Sequence, residues 1–183
     1  MECKRFGVIG VGGWGGRHVG TYQEHPMADV VAICDLNRGT LDEVGDEAGV
    51  ESRYTDCAEM LEKEQLDAVS IVTPDFAHAD LAVTAIEAGV DVLIEKPLAT
   101  TLEDCDRIGK ALKKSDVKFM VDFHNRWNPA MVKFKKSISG GELGDVQMAY
   151  YRLSDNISVP TGMLSWAGKS TVNWFLASHC LDT

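Results

Sequence analysis

Glu95-Lys96-Pro97 sets an acid, a base and an imino acid directly after the apolar run Val90 to Ile94. The run reads as a buried strand, and Pro97 steers Lys96 away from helical geometry, so the lysine is held at the strand end beside Glu95. An ammonium fixed there can hydrogen-bond an alcohol or carbonyl oxygen and stabilise developing alkoxide charge. It can also relay a proton if burial lowers its pKa. A solvated Glu95-Lys96 pair at a strand end is the plain alternative.

A second group with chemical potential is "VIGVGGWGGRHV", where Gly10, Gly12 and Gly15 stand in G-x-G-x-x-G spacing with Gly13 and Trp14 between them. The loop follows a strand and opens a helix. Its glycines permit a tight turn, close backbone approach to a pyrophosphate, and close helix-strand packing. Amides at the helix start, with the positive end of its dipole, favour phosphate. Asp35, at the end of "VVAICDLN", lies about twenty residues beyond Gly15, where a carboxylate can bind the adenosine ribose hydroxyls. That carboxylate repels a 2′-phosphate and so favours NAD over NADP, a preference that Arg38 softens. A structural turn, or the loop of a methyltransferase that binds S-adenosylmethionine, remains an alternative; the latter leaves Lys96-Pro97 without a purpose.

Other candidates sit just past strand ends, where open parallel sheets bind ligands. Thr73-Pro74 suits a loop along the nicotinamide side of a dinucleotide, or an ordinary turn. His78, in the first turn of the next helix, reaches a ligand or is merely solvated. Asp122-Phe123-His124 ends the last strand of this series.

The elements that must position these residues alternate between two periods. Strands are expected at Phe6 to Gly10, Val30 to Cys34, weakly at Arg53-Tyr54, then Ala68 to Val72, Val90 to Ile94 and Lys118 to Val121. Helices are expected at about 14–24, 38–48, 57–64, 77–88 and 102–114. This β-α-β alternation predicts a doubly wound parallel sheet over residues 1–123, with both faces covered. From residue 124 the pattern changes to a helix (Pro129 to Ser139), a glycine turn, an alternating strand (Val146 to Leu153), and the helical start "STVNWFLASHCLDT". Residues 124–183 therefore read as the incomplete beginning of an antiparallel α+β domain.

Composition narrows the function classes. The chain has 183 residues, 18 basic against 28 acidic side chains and a net charge of -10, which repels nucleic acid and anionic membrane surfaces. No apolar run approaches the roughly 20 residues that cross a bilayer, and no signal-peptide core follows Met1, so a cytoplasmic location is expected. Five cysteines, without a Cys-x-x-Cys pair, read as reduced and structural.

Taken together, the glycine loop, the acidic end of the second strand, "TP" after the fourth and "EKP" after the fifth resemble the glucose-fructose oxidoreductase/inositol dehydrogenase/MocA (Gfo/Idh/MocA) family. "TPDFAHADLAVTAIEAGVDVLIEKPLA" and "FHNRWNPAMVKFKKSISGGELGDV" extend the resemblance over essentially the whole chain. It implies an NAD(P)-binding Rossmann domain followed by a larger domain with an open antiparallel sheet, which supplies substrate contacts and often a homo-oligomer interface. It also implies oxidation or reduction of secondary alcohols of sugars, cyclitols and similar polyols. In the family's motif the catalytic lysine corresponds to Lys96. Glu95 and Lys96 then border the cofactor site together with Gly10, Gly12, Gly13, Trp14, Gly15, Asp35, Arg38, Thr73, Pro74 and His78. The family's Asp-x-x-x-His element resembles "FLASHCLD", with His179 as the proton carrier and Phe175 in place of the aspartate. Arg126 and Trp127, at the domain crossover, contact substrate or pack the joint, and packing is the expectation. Members continue beyond this length, so the resemblance implies a piece of a longer protein. Phe175 and the short second domain also suit a reading from another class, a nucleotide-binding regulatory or scaffold protein without catalysis.

Overall fold

The computed structural model describes residues 3–182. Its centre is a six-stranded sheet made of β1 (Lys4–Ile9), β2 (Ala28–Cys34), β3 (Ser52–Tyr54), β4 (Ala68–Ile71), β5 (Asp91–Glu95) and β6 (Phe119–Asp122). The strand order is β3-β2-β1-β4-β5-β6. The pairs β1-β2, β1-β4, β2-β3 and β4-β5 are all parallel, so each connection is a helical crossover. These are α1 (Gly13–Gln23), α2 (Arg38–Ala48), α3 (Cys57–Lys63), α4 (His78–Glu87) and α5 (Leu102–Leu112). This is the doubly wound α/β sheet that the β-α-β alternation predicts.

Period-two alternation in the strands sends successive side chains to opposite faces, which builds two cores. Ile9, Ala32, Cys34, Val69, Ile71, Val92 and Ile94 pack under α3, α4 and α5 with Met60, Ala82, Ile86 and Ile108. Val8, Val30 and Ile33 face the other way, with Val19 of α1 and Leu41 of α2. Burying a side chain of this kind contributes about 1.5–3 kcal/mol each, so the sheet is rigid where its strand ends must hold chemistry.

By its internal contacts the chain divides into two units, Met1–Val121 and Asp122–Thr183. Within the second, α6 (Pro129–Ser139) starts under an Asn128 cap, with Pro129 in its first turn where a missing amide costs nothing. Two π-helical turns, Val159–Met163 and Asn173–Ala177, and a short α7 (Ser178–Asp182) follow. The strand expected at Val146 to Leu153 does not form: the segment has no regular structure. Alternation alone does not make a strand, which needs a neighbour to accept its backbone hydrogen bonds, and the described residues of this unit include no other strand.

Two smaller differences matter locally. Glu95 is the last residue of β5 rather than the first after it. α4 begins at His78 after a single 3-10 turn, Asp75–Ala77, because Pro74 restrains the chain first. All five cysteines are free thiols; burial foremost, then Cys57 and the nearby carboxylates, pushes Cys34 up to about 12.

Candidate functional site

With β1 and β4 adjacent and the chain winding outward from each, the sheet has its topological switch between them. Ligands bind such sheets at the carboxyl ends of the strands on either side of that point. Gly10 follows β1, Thr73 follows β4, Lys96 follows β5 and Asp35 follows β2, so one sheet edge carries four of the expected groups.

The loop after β1 owes its shape to two glycines. Gly10 has φ +84, and a Cβ there would lie 2.8 Å from both Thr73 Cγ2 and Val72 O. At Gly15 a Cβ would come within 1.8 Å of Gly10 O, so only glycine lets α1 sit down on β1. Gly12 and Gly13 are exposed, with nothing within 4 Å of an added Cβ, which leaves open space over the loop. α2, α3, α5 and α6 each start under a side-chain cap, from Asn37, Asp56, Thr101 and Asn128. α1 follows Gly12 with no side-chain cap, as α4 follows Ala77, so no side chain competes with an anion for the first amides above the glycine loop.

Asp35 is pinned. One carboxylate oxygen accepts from the amide of Val11 and the other from that of Asn37, each at 2.8 Å. The residue thereby joins the glycine loop to the start of α2. Arg38 lies on the exposed face and pairs with Asp42 at 3.4 Å. On the neighbouring strand end, Thr73 Oγ1 is buried and has no hydrogen-bond partner, while the Thr73 methyl lies against Gly10. A buried hydroxyl left unpaired is costly and suits a polar ligand atom. The open loop, the uncapped amides and this hydroxyl together fit a dinucleotide.

Two expected contacts are corrected. His78 is 1 % exposed, and its ring nitrogens lie against backbone carbonyls, Nδ1 at 2.7 Å from Pro97 O and Nε2 at 3.0 Å from Thr73 O. The ring thus packs between the ends of β4 and β5, donating to one of the two carbonyls when neutral and to both only when protonated, and neither nitrogen faces a ligand. Burial is the largest influence on its ring and lowers its pKa; the two carbonyls, Asp75 and Glu95 pull the other way. Glu95 is also buried, at 6 % exposure, because it ends β5 on the inward side. The indole Nε1 of Trp14 donates to its Oε1 at 2.6 Å, and the amide of Lys96 to its Oε2 at 3.1 Å. Trp14 itself is exposed, with the Arg17 guanidinium 5.1 Å from its ring centre.

Burial is likewise the main influence on Glu95 and raises its pKa, but His18, Trp14 and Lys96 outweigh it and hold the carboxyl below its usual value. Lys96 is half-buried at the same strand end, before a cis peptide bond to Pro97. Burial first lowers its pKa, and the Glu95 and Asp75 carboxylates restore part of it. An ammonium with a lowered pKa beside fixed anions is a group that can give and take a proton.

In the second unit His179 is 6 % exposed, with its ring centre 4.7 Å from that of His124. Phe175 meets Trp166 edge-on at 6.2 Å. Arg126 holds Asp182 through Nε at 2.8 Å, and Trp127 is exposed.

Residues 4–123 match the oxidoreductase family with an NAD-binding Rossmann fold, GFO_IDH_MocA. The chain belongs to this family. It is 35% identical over 143 residues to D-apiose dehydrogenase of Paraburkholderia graminis, covering 77% of this chain and 38% of that protein. It is 34% identical over 149 residues to scyllo-inositol 2-dehydrogenase (NAD(+)) of Bacillus subtilis, covering 81% and 43%. The structure of scyllo-inositol dehydrogenase from Lactobacillus casei with bound NAD(H) and scyllo-inositol is similar at TM-score 0.76 and 26% identity, over 79% of this chain and 43% of that one. The chain thus spans less than half the length of each of these three proteins.

His18, which reaches Glu95 from α1, and Ser70 and Tyr22 beyond it were not singled out by the sequence. The one local signal is spacing, since His18 lies one helical turn after Trp14 on the same face of α1.

Proposed function

We propose that the protein carrying this chain is an NAD-dependent dehydrogenase that moves a hydride between the cofactor and a secondary alcohol or ketone of a sugar or cyclitol. The observation that carries the reading is Lys96, half-buried at the end of β5, on the sheet edge that also bears the open glycine loop. Family membership and polyol dehydrogenases among the relatives support the same class of substrate.

In this reading the amides of Gly12, Gly13 and Gly15 hold the pyrophosphate, Asp35 takes the ribose hydroxyls, and Thr73 with Pro74 borders the nicotinamide. Bound NAD supplies the hydride acceptor. Lys96 hydrogen-bonds the reacting oxygen and stabilises its negative charge, and His179 carries the proton to or from it. Asp35 disfavours a 2′-phosphate, and Arg38, engaged with Asp42, offsets this only weakly. A homo-oligomer is part of the proposal, on the strength of the family resemblance alone.

Lys96→Met in the full-length protein should leave NADH binding, followed by cofactor fluorescence, nearly unchanged. Turnover of a panel of inositols and sugars, followed at the reduced-nicotinamide absorbance, should fall about 10²- to 10⁴-fold. Unchanged turnover removes Lys96 from the mechanism. Phe175, aromatic where the family motif carries aspartate, favours a second reading, a nucleotide-binding protein without catalysis. That reading predicts NADH binding with no turnover of any polyol by the unmodified protein.

A further inference from the structure

Behind Glu95 lies a line of polar side chains in an otherwise apolar part of the sheet. His18 Nε2 is 3.4 Å from Glu95 Oε1 and its Nδ1 is 3.1 Å from Ser70 Oγ, which in turn is 2.7 Å from the Tyr22 hydroxyl. Ser70 is fully buried in the middle of β4, and Tyr22 is stacked on Phe6 with ring centres 4.4 Å apart. One set of proton positions satisfies these links: Tyr22 donates to Ser70, Ser70 to His18 Nδ1, and His18 Nε2 to Glu95. Trp14 donates to the same carboxylate oxygen from the loop side.

Buried polar groups survive in a sheet of this kind when each is satisfied, and a line of them fixes the last member's position and charge. The last member here is Glu95, whose other oxygen accepts from the amide of Lys96. Both Trp14 and His18 belong to α1, the helix that opens from the glycine loop, so two donors from one helix converge on the carboxylate next to Lys96.

We propose that Trp14 and His18 are positioning residues: they clamp Glu95 so that the glycine-loop helix and the strand end bearing Lys96 are locked together, and Lys96 is presented as a fixed, charged ammonium. The inference rests on the function proposed above and adds to it two residues that do not touch the reacting atoms.

The test needs no substrate. Acetic anhydride labels neutral, accessible amines, and the rate at Lys96 is read by mass spectrometry against exposed Lys118 in the same chain. NADH affinity is measured in parallel. Glu95→Gln removes the charge itself and should speed acetylation of Lys96 roughly threefold or more, because a neighbouring carboxylate favours the charged amine. His18→Leu leaves the carboxylate charged but frees it to move, and should give a smaller increase through the loosened lysine, whereas His18→Gln, whose amide restores the donor to Glu95, should return the rate to near that of the unmodified protein. Trp14→Phe, at an exposed position that the fold tolerates, should give a smaller increase in the same direction. In Glu95→Gln and the two His18 variants NADH affinity should stay within about threefold. The proposal is overturned if His18→Leu and Trp14→Phe label at the unmodified rate, or if His18→Gln labels as fast as His18→Leu. It is also overturned if NADH affinity collapses with labelling unchanged. Loss of turnover in Lys96→Met tests the dehydrogenase reading instead, so the two can fail separately.

Discussion

A single side chain, His78, shows how a residue near a ligand edge can serve structure rather than binding. Its position at the head of α4 gives it reach toward the strand ends, and burial turns that reach inward, onto the carbonyls of Thr73 and Pro97. Because burial holds its pKa below the ordinary value, the folded protein favours the neutral ring more than the unfolded chain does. The sign follows: stability from this group is complete above the unfolded value of about 6.5, and is lost as pH falls below it. The melting temperature should therefore drop between about pH 7 and pH 5.5, before most carboxylates titrate. His78→Gln, which keeps a donor but cannot be protonated, should flatten that drop. A pH-independent difference between the two proteins would assign His78 a packing role alone.

At the scale of elements, two glycines of one loop make opposite demands, and the difference can be measured. Gly15→Ala forces a methyl to within 1.8 Å of Gly10 O, so α1 must lift from β1, at a cost of about 1–3 kcal/mol. Gly12→Ala meets nothing within 4 Å and should change stability by less than about 0.5 kcal/mol, yet it fills the space over the loop. Thermal melts should separate the first from the unmodified protein and leave the second close to it, while NADH titration should show weaker binding in both. The sequence carried this much openly: short apolar runs of strand period, the helical stretches between them, and the glycine loop that must turn tightly after the first strand. It placed Gly10, Asp35, Thr73 and Lys96 on one sheet edge because each ends or follows a strand of a parallel β-α-β series. The Trp14 to Glu95 hydrogen bond spans 81 residues, and no local pattern encodes a contact of that separation. The misread segment, Val146 to Leu153, fails for a related reason, since its alternation specifies which face is apolar but not where a neighbouring strand comes from.

For the whole molecule, the loop, the clamped glutamate and the lysine all lie within the unit Met1–Val121, while His179 and Phe175 lie in Asp122–Thr183. Cofactor binding should therefore stabilise the chain unevenly. A ligand that binds only the folded form adds RT ln(1 + [L]/Kd), about 2.7 kcal/mol at a hundredfold excess over Kd. That gain should appear where the ligand's contacts restrain opening: β1, the start of α1, the end of β2 and the turn after β4. Hydrogen exchange read by mass spectrometry, with and without NADH, should show slowed exchange in peptides covering residues 6–19, 33–38 and 71–78. Peptides from 129–163, which carry none of the proposed cofactor contacts, should exchange at the same rate in both. Equal protection of the two regions would mean that the dinucleotide also engages the second unit. Protection confined to the second unit would remove the glycine loop as the binding site.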